Sequence, residues 1–294
     1  MRRIVHISDL HFGNNDPALL QPLRKAIENI EPHFLVISGD LVEHASNAEF
    51  EQARDFLHTL PKPQMVVPGN HDLAFYNFFQ RATVGLATYK KHITDNLQPE
   101  FQDEEVAILG ANTSRVWPIR GGSLSSLQLE QLAKDFAAIS DEKVRILVTH
   151  HPFDLPDMQG HRLIVGHARR AITRLAPLVD ILMAGHIHLS STGSTAARYK
   201  TEGHAIAFIQ AGTAISNRDK GETNSFNSLR VTSAKEGGSK IVVVDRFTWR
   251  KESGEFGCKC STDFRLESEG WARVQKEVKP DAPVQVEEGV ETSQ

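Results

Sequence analysis

Short apolar segments alternate with amphipathic segments as far as about His188, and this alternation constrains the fold more than any other feature. Apolar runs such as Ile4 to Ser8, Phe34 to Ile37 and Gln64 to Val67 have the length of β-strands. Between them, apolar residues recur at three- and four-residue steps, as from Leu19 to Ile30, which is typical of helices packed on one face. Strand–helix repeats of this kind predict parallel strands in an α/β domain.

Five of the predicted strands are followed directly by side chains that can bind metal or move protons. The residues are Asp9, His11, Asp40, Asn70, His71, Asp72, His150, His151, His186 and His188. Because ligands bind at the carboxyl ends of strands in open α/β sheets, we expect these side chains to lie close together. The sequence therefore predicts one polar site at the strand ends.

Seven of these residues form the candidate ligand set, with Asp72 and His151 in reserve. They are Asp9, His11, Asp40, Asn70, His150, His186 and His188. No thiolate is present, so the set suits Mn²⁺, Fe²⁺ or Zn²⁺. Seven ligands exceed the needs of one ion but can hold two ions that share a carboxylate. Such a pair can generate a bridging hydroxide for in-line attack at phosphorus, which predicts hydrolysis of a phosphate ester.

Composition and charge narrow the choice of partner and location. The formal net charge of −4 provides no basic field for nucleic acid, and no apolar run approaches the length of a membrane span. The first residues enter a strand pattern without the apolar stretch of a signal peptide, so we expect a cytoplasmic protein. The sequence is compatible with a homo-oligomer.

The remaining segments predict one domain, residues 1–278, with an insertion and a tail. Residues 73–102 crowd aromatic and charged residues and are interpreted as a helical insertion at the rim of the site. The last third is rich in strand patterns, which suggest a second sheet. Residues 279–294 have no periodicity and predict a disordered acidic tail. Polar loops offer Arg115, Arg218 and Asn224 as candidate substrate contacts.

The order of the polar blocks resembles that of the calcineurin-like metallophosphoesterases. The blocks are Asp9-x-His11, Gly39-Asp40, Gly69-Asn70-His71-Asp72, His150-His151-Pro152 and Gly185-His186-Ile187-His188. The resemblance implies a four-layer αββα sandwich of two packed mixed sheets flanked by helices. It also implies two metal ions bridged by Asp40. One would be held by Asp9, His11, Asp40 and His188, and the other by Asp40, Asn70, His150 and His186.

The resemblance also suggests roles for the residues beside the metals. His71 is similar to the family histidine that protonates the leaving oxygen or stabilises the phosphoryl group. Asp72 is expected to orient His71 or a ligand, and His151 to be a supporting residue or only the residue before a proline.

The chain looks like the single-domain bacterial branch that includes cyclic-nucleotide and glycerophosphodiester hydrolases, so we expect a phosphodiesterase for a small soluble substrate. Three other functions are compatible with the same blocks: a phosphomonoesterase, a nucleotide-sugar pyrophosphatase and a non-catalytic scaffold with this fold. Retention of all seven ligand residues disfavours the scaffold, and the acidic balance disfavours a nuclease.

Overall fold

A computed structural model describes residues 1–74, 78–117, 121–155, 164–199, 201, 203–218, 220–234 and 238–274, with only the backbone for 78–80. The strands are β1 (Arg2–Ile7), β2 (Phe34–Ile37), β3 (Gln64–Val66), β4 (Glu100–Gln102), β5 (Val106–Gly110), β6 (Val144–Val148), β7 (Ile181–Ala184), β8 (Ser191–Ser194), β9 (Ala207–Gln210), β10 (Ser225–Thr232), β11 (Ile241–Arg250), β12 (Glu255–Glu267) and β13 (Gly270–Arg273). The α-helices are α1 (Leu20–Ile30), α2 (Asn47–Thr59), α3 (Phe78–Thr83), α4 (Ala87–His92), α5 (Ser126–Ala137) and α6 (Ala168–Leu175).

The strands form two mixed sheets. The first sheet has the order β13-β12-β11-β10-β1-β2-β3, and the second has the order β4-β5-β6-β7-β9-β8. In the first, β1, β2 and β3 are parallel; in the second, β5, β6, β7 and β9 are parallel. The carboxyl ends of these parallel strands carry the residues that the sequence singled out.

Continuous apolar strands arise because both faces of each sheet are covered. Ile4 and Ile146 face the core between the sheets, whereas the next residues along their strands, Val5 and Leu147, belong to separate outer cores. Helices α1 and α2 cover the outer face of the first sheet, and α5 and α6 cover that of the second. The predicted fold class, two packed mixed sheets flanked by helices, is confirmed.

The sequence suggested that the strand-rich last third forms a second sheet, but its strands divide between the two sheets. Strand β9 joins the second sheet, whereas β10 to β13 join the first. Strand β10 pairs antiparallel with β1, and β11, β12 and β13 follow in turn, so these four strands widen the first sheet. The second sheet instead begins at β4 and β5. The physical reason is that β2 covers only one edge of β1, and the other edge offers an unpaired backbone to the returning chain.

The segment 73–102 contains α3, α4 and β4, the last being an edge strand of the second sheet. Tyr89 on α4 is fully buried, with its ring edge against Phe50 and its hydroxyl donating to the Val66 carbonyl at 3.3 Å. Tyr89 therefore has a packing role in the core. Phe75, Tyr76 and the side chains of Phe78 and Phe79 lie outside the described residues, as does the tail predicted at 279–294.

Capping boxes start α2 and α5. The Ser46 hydroxyl accepts from the Glu49 amide, the Glu49 carboxylate accepts from the Ser46 amide, and Ser125 and Gln128 repeat the arrangement on α5. Among the helices within the described ranges, none is both long and apolar enough to cross a membrane.

Candidate metal centre

The first group of candidate ligands lies where β1, β2 and β7 end. Asp9, His11, Asp40 and His188 are all buried, and one ligand atom from each lies within 4.8 Å of the others. His188 Nε2 is 3.1 Å from His11 Nε2 and 3.2 Å from Asp9 Oδ1. Asp40 Oδ2 lies 3.7 Å from His11 Nε2. Two imidazole nitrogens that face each other and two carboxylates leave a position suited to a cation.

The second group lies beside the first and shares the carboxylate of Asp40. His150 Nε2 is 3.2 Å from Asp40 Oδ2 and 3.2 Å from Asn70 Oδ1. The other nitrogen of His150 donates to the Ser38 carbonyl at 2.7 Å, which directs Nε2 toward the site. The ring of His186 lies 5.2 Å from that of His150, and its Nε2 is buried without a hydrogen-bond partner.

An unpartnered buried nitrogen is unfavourable unless a ligand satisfies it, and a metal ion does so without a proton. Burial, followed by the charge of His150, lowers the pKa of His186 to about 3, so its ring is neutral and can donate a lone pair. The donor set of the second group therefore also fits a divalent ion.

Burial and mutual charge set the pKa values of the cluster. Burial alone would lower the pKa of His150, but the carboxylate of Asp40 outweighs it and raises that pKa to about 9. Burial likewise opposes protonation of His11, whereas Asp9 and Glu43 raise its pKa to about 9. Burial disfavours the charged form of Asp40, yet His150 holds its pKa well below the usual range. Each anion is thus balanced by positive charge, which bound metal would supply instead.

The backbone at the strand ends is strained. Five candidate ligands have left-handed φ angles: Asp9 (54°), His11 (47°), Asp40 (51°), His186 (76°) and His188 (63°). Non-glycine residues rarely adopt this region, and such strain concentrates at functional sites. Two glycines allow the close approach, since a Cβ at Gly185 would lie 2.5 Å from Asp9 Oδ2 and one at Gly69 would meet the Asp40 carboxylate.

His71 lies at the edge of the first group. Its ring is 4.9 Å from that of His11, and its backbone amide donates to Asp40 Oδ1 at 2.8 Å. Nδ1 is 2.8 Å from the Glu43 carbonyl, so this nitrogen carries the proton, and Nε2 lies 2.9 Å from Arg218 Nη1. Burial lowers the pKa of His71, against the opposing charge of Asp40.

Asp72 ties together the loops that carry the ligands. Its carboxylate accepts from the backbone amides of Leu41 at 2.9 Å and Gly69 at 2.8 Å. Burial, followed by the charge of Asp40, raises the pKa of Asp72 to about 7. Asp72 therefore fixes the backbone on either side of the candidate ligands Asp40 and Asn70, and its orienting role stays a prediction.

His151 lies behind the second group. It is buried, with Nδ1 2.9 Å from the Thr113 hydroxyl, and its ring is 4.5 Å from that of His186. Its Nε2 has no hydrogen-bond partner, and one nitrogen each from His150, His151 and His186 lie within 4.8 Å. His151 therefore lies against the candidate ligand His186, and its supporting role stays a prediction.

Of the three candidate substrate contacts, one lies at the site and two are hydrogen-bonded elsewhere. Arg218 lies at the site beside His71. The guanidinium of Arg115 instead donates to the carbonyl of Ser114 at 3.1 Å and to the side chain of Gln128, which ties it to α5. The amide of Asn224 donates to a backbone carbonyl of its own loop at 2.9 Å. The sequence places these residues in polar loops, but the position of a residue in a loop does not determine the direction of its side chain.

Sequence reasoning missed Glu43. Its Oε2 lies 3.1 Å from His11 Nδ1 and 3.7 Å from Arg218 Nη1. Burial works against its charged form, but His11 lowers the pKa of Glu43 to about 2. The signal available in the sequence was its place three residues after the candidate ligand Asp40.

A two-sheet sandwich with buried carboxylate, amide and imidazole donors at its strand ends provides a candidate metal site of the kind that metal-dependent hydrolases use. The family model described as "Calcineurin-like phosphoesterase" matches residues 2–190, and the chain belongs to this family. Members hydrolyse phosphate esters and use divalent metals. The expectations of this family and of an enzyme acting on phosphate esters are confirmed.

Curated relatives include phosphodiesterases. The 3',5'-cyclic adenosine monophosphate phosphodiesterase CpdA of Escherichia coli (strain K12) is 30% identical over 201 residues, which cover 63% of this chain and 69% of CpdA. A probable glycerophosphodiester phosphodiesterase, GpdQ of Arcobacter nitrofigilis, is 25% identical over 214 residues, or 64% of this chain and 72% of GpdQ.

Among solved structures, the purple acid phosphatase PPD1 of yellow lupin aligns with 88% of this chain at a TM-score of 0.67 and 14% identity. The alignment spans 53% of that phosphatase, about half its length. At this identity the likeness shows the fold alone.

Proposed function

We propose that this protein is a dinuclear metal-dependent phosphodiesterase for a small soluble diester, such as a cyclic nucleotide or a glycerophosphodiester. The observation that carries the proposal is the shared carboxylate of Asp40. Its Oδ2 lies 3.7 Å from His11 Nε2 and 3.2 Å from His150 Nε2, between the two groups of donors. One carboxylate between two imidazole-rich groups fits two ions with a common ligand.

The residues divide into two coordination sets. One ion would be held by Asp9, His11, Asp40 and His188, and the other by Asp40, Asn70, His150 and His186. The nitrogen and oxygen donors suit Mn²⁺, Fe²⁺ or Zn²⁺. When bound, such ions lower the pKa of water and stabilise the attacking and leaving oxygens of an in-line displacement.

His71 and Arg218 act on the phosphoryl group and its leaving oxygen. Because the Glu43 carbonyl holds the Nδ1 proton of His71, proton exchange is confined to Nε2, the nitrogen that faces Arg218 at 2.9 Å. Burial lowers the pKa of His71, and its neutral ring accepts a hydrogen bond from Arg218 at Nε2 in this structure. When the guanidinium turns to a bound phosphate, Nε2 can take a proton from water and pass it to the leaving oxygen. The guanidinium beside it provides donors for a non-bridging phosphate oxygen.

Hydrolysis measured on a panel of substrates with Mn²⁺-loaded protein tests the proposal. The panel contains cyclic AMP, a glycerophosphodiester and bis(p-nitrophenyl) phosphate, with p-nitrophenyl phosphate as the monoester. We expect kcat/KM to be higher for a diester than for the monoester, and Asp40→Asn to abolish both activities. Preference for the monoester alone contradicts a diesterase.

A second candidate is a nucleotide-sugar pyrophosphatase. The UDP-2,3-diacylglucosamine pyrophosphatase LpxG of Chlamydia trachomatis is 39% identical to this chain over 77 residues, which cover 25% of this chain and 23% of LpxG. The same donors would act on a pyrophosphate bond. A UDP-sugar in the panel, with release of UMP measured, separates this activity from that of a diesterase.

A further inference from the structure

We propose that Glu43 is a positioning residue that orients the metal ligand His11 through its side chain and holds Arg218 beside His71. The inference rests on the proposed dinuclear site and deepens it. A single carboxylate would thus connect metal binding to the residues that receive the phosphoryl group.

The contact with His11 determines which of its nitrogens is free to bind metal. Glu43 Oε2 lies 3.1 Å from His11 Nδ1, whereas His11 Nε2 faces Asp40 Oδ2 and His188 Nε2. The two atoms are close but not aligned for a hydrogen bond, and neither has another hydrogen-bond partner within the described residues. The negative charge beside Nδ1 favours a proton on that nitrogen, which leaves the Nε2 lone pair directed at the metal position. The burial of both side chains, 0% exposed for His11 and 12% for Glu43, removes water as a competing partner.

The carboxylate of Glu43 also lies near Arg218, which faces His71. Arg218 Nη1 lies 3.7 Å from Glu43 Oε2 and 2.9 Å from His71 Nε2. The Arg218 side chain is 35% exposed and extends from a surface loop, so an anchoring charge restricts where its guanidinium can lie. Glu43 holds His71 through its backbone carbonyl, at 2.8 Å. Substitution of the Glu43 side chain leaves this backbone contact in place, but it also removes the Oε1 atom that lies 4.0 Å from His71 Nδ1. The closest contact that it removes is the one with His11.

A different arrangement would place a third cation among His11, Glu43 and His71, whose candidate ligand atoms also lie within 4.8 Å of one another. His11 would then bind ions through both nitrogens, which requires loss of both ring protons. A neutral imidazole that binds through Nε2 and donates from Nδ1 avoids this cost. We therefore favour the positioning role, and the number of ions bound distinguishes the two.

Titration calorimetry of Mn²⁺ binding, without substrate, tests the contact with His11. We expect Glu43→Ala to bind the same number of ions as the wild type but to weaken one of them by about 10–100-fold, the usual effect of removing a carboxylate behind a ligating histidine. Glu43→Gln should recover part of the affinity, because its amide oxygen can place a partial negative charge beside Nδ1. Loss of one bound ion would instead identify Glu43 as a ligand, and unchanged affinity would overturn the proposal.

Glu49→Gln is the matched control. Glu49 also pairs with a histidine, His44, at 2.9 Å, but that histidine belongs to no candidate ligand group within the described residues. The glutamine preserves the capping box of α2. We expect wild-type Mn²⁺ affinity and wild-type hydrolysis for this variant.

A double-mutant cycle tests the contact with Arg218. If Glu43 places the guanidinium, Glu43→Ala and Arg218→Ala should each raise KM for the best diester, and the double variant should raise it by less than the product of the two effects. Independent effects on KM would contradict the connection. The two experiments also separate this inference from the proposed function, because Mn²⁺ binding that depends on Glu43 can be measured in a protein that hydrolyses no diester.

Discussion

Removal of bound metal should make the stability of this protein fall as the pH rises from about 6.5 to 9. The folded-state pKa values of His11 and His150 are about 9, against 6.5 for an ordinary histidine, because nearby carboxylates outweigh the effect of burial. In protein treated with a chelator, their protonated rings stabilise the folded state fully below pH 6.5. This contribution is lost as the pH rises through 9, since the unfolded chain releases these protons first.

The size of the effect follows from the two pKa values. At about 1.4 kcal/mol per pKa unit, a rise from 6.5 to about 9 corresponds to about 3 kcal/mol for each histidine. The lowered pKa of Asp40 reports the same attraction to His150 and is not added. Because the two rings share neighbouring carboxylates, we expect a total fall of about 3–6 kcal/mol in the free energy of unfolding.

Two other histidines, His6 and His186, determine how the stability of the metal-free protein depends on pH below 6.5. Burial lowers the pKa values of His6 and His186 to about 3, so both remain neutral in the folded state when they would be charged in the unfolded chain. Stability should therefore rise with pH between about 3 and 6.5. The two trends together place the maximum for the metal-free protein near pH 6.5.

Urea unfolding followed by circular dichroism in EDTA, at pH values from 5 to 9.5, measures this dependence. Asp40→Asn is the informative variant, because loss of the carboxylate lowers the pKa of His150 and should flatten the decline above pH 6.5. With excess Mn²⁺ the slope should reverse, since deprotonated imidazoles bind metal more strongly. Stability that is constant or rises between pH 6.5 and 9 in EDTA would refute the reasoning.

Three further predictions test the bridging ligand, the backbone strain and the packing of the sheets. Calorimetric titration with Mn²⁺ should show weaker binding of both ions in Asp40→Asn but of only one in Asp9→Asn. In EDTA, His188→Gly should be more stable to urea than His188→Ala by about 1 kcal/mol, because φ is 63° at this residue; equal stabilities would contradict strain there. Asp180→Asn should destabilise the protein by about 3–5 kcal/mol in urea, because it deprives the buried Lys240 ammonium, now 2.8 Å away, of its carboxylate.

The part of the fold that could be predicted is the part in which local pattern and tertiary structure agree. Parallel strands such as β2 and β6 are covered on both faces and appear as apolar runs, and the helices between them keep their period. The prediction that β10 to β13 belong to the second sheet was wrong. Alternation of apolar and polar residues identifies a strand, but it does not show which sheet edge that strand pairs with. Strand β8, Ser-Thr-Gly-Ser, has no apolar pattern and forms through pairing with β9.

At the site, the sequence predicted which residues gather but not the direction of the longer side chains. Asp40 and His150 lie within three residues of a strand end. The strand therefore fixes the backbone position of each residue, and the side chain is too short to reach far from it. Arg115 and Glu43 lie farther along their loops, where the path of the backbone decides whether a side chain meets the site. That path places the Arg115 guanidinium against Gln128 on α5 and the Glu43 carboxylate against His11.

The left-handed backbone at the ligands explains why the site needs the whole fold. No local preference favours this conformation at an aspartate or histidine strongly enough to hold five of them, so tertiary contacts must impose it. The Thr213 hydroxyl donates to the Asp9 carbonyl at 2.7 Å. The amides of Asp9 and His11 donate to the carbonyls of Gly39 and Asp40, just after β2, at 3.0 and 3.1 Å. These bonds join the end of β1 to β2 and to the loop before β10. Strand β10 therefore stabilises the site as well, since the Ser225 amide at its start donates to the carbonyl of Thr213, which holds Asp9 in place, at 2.9 Å.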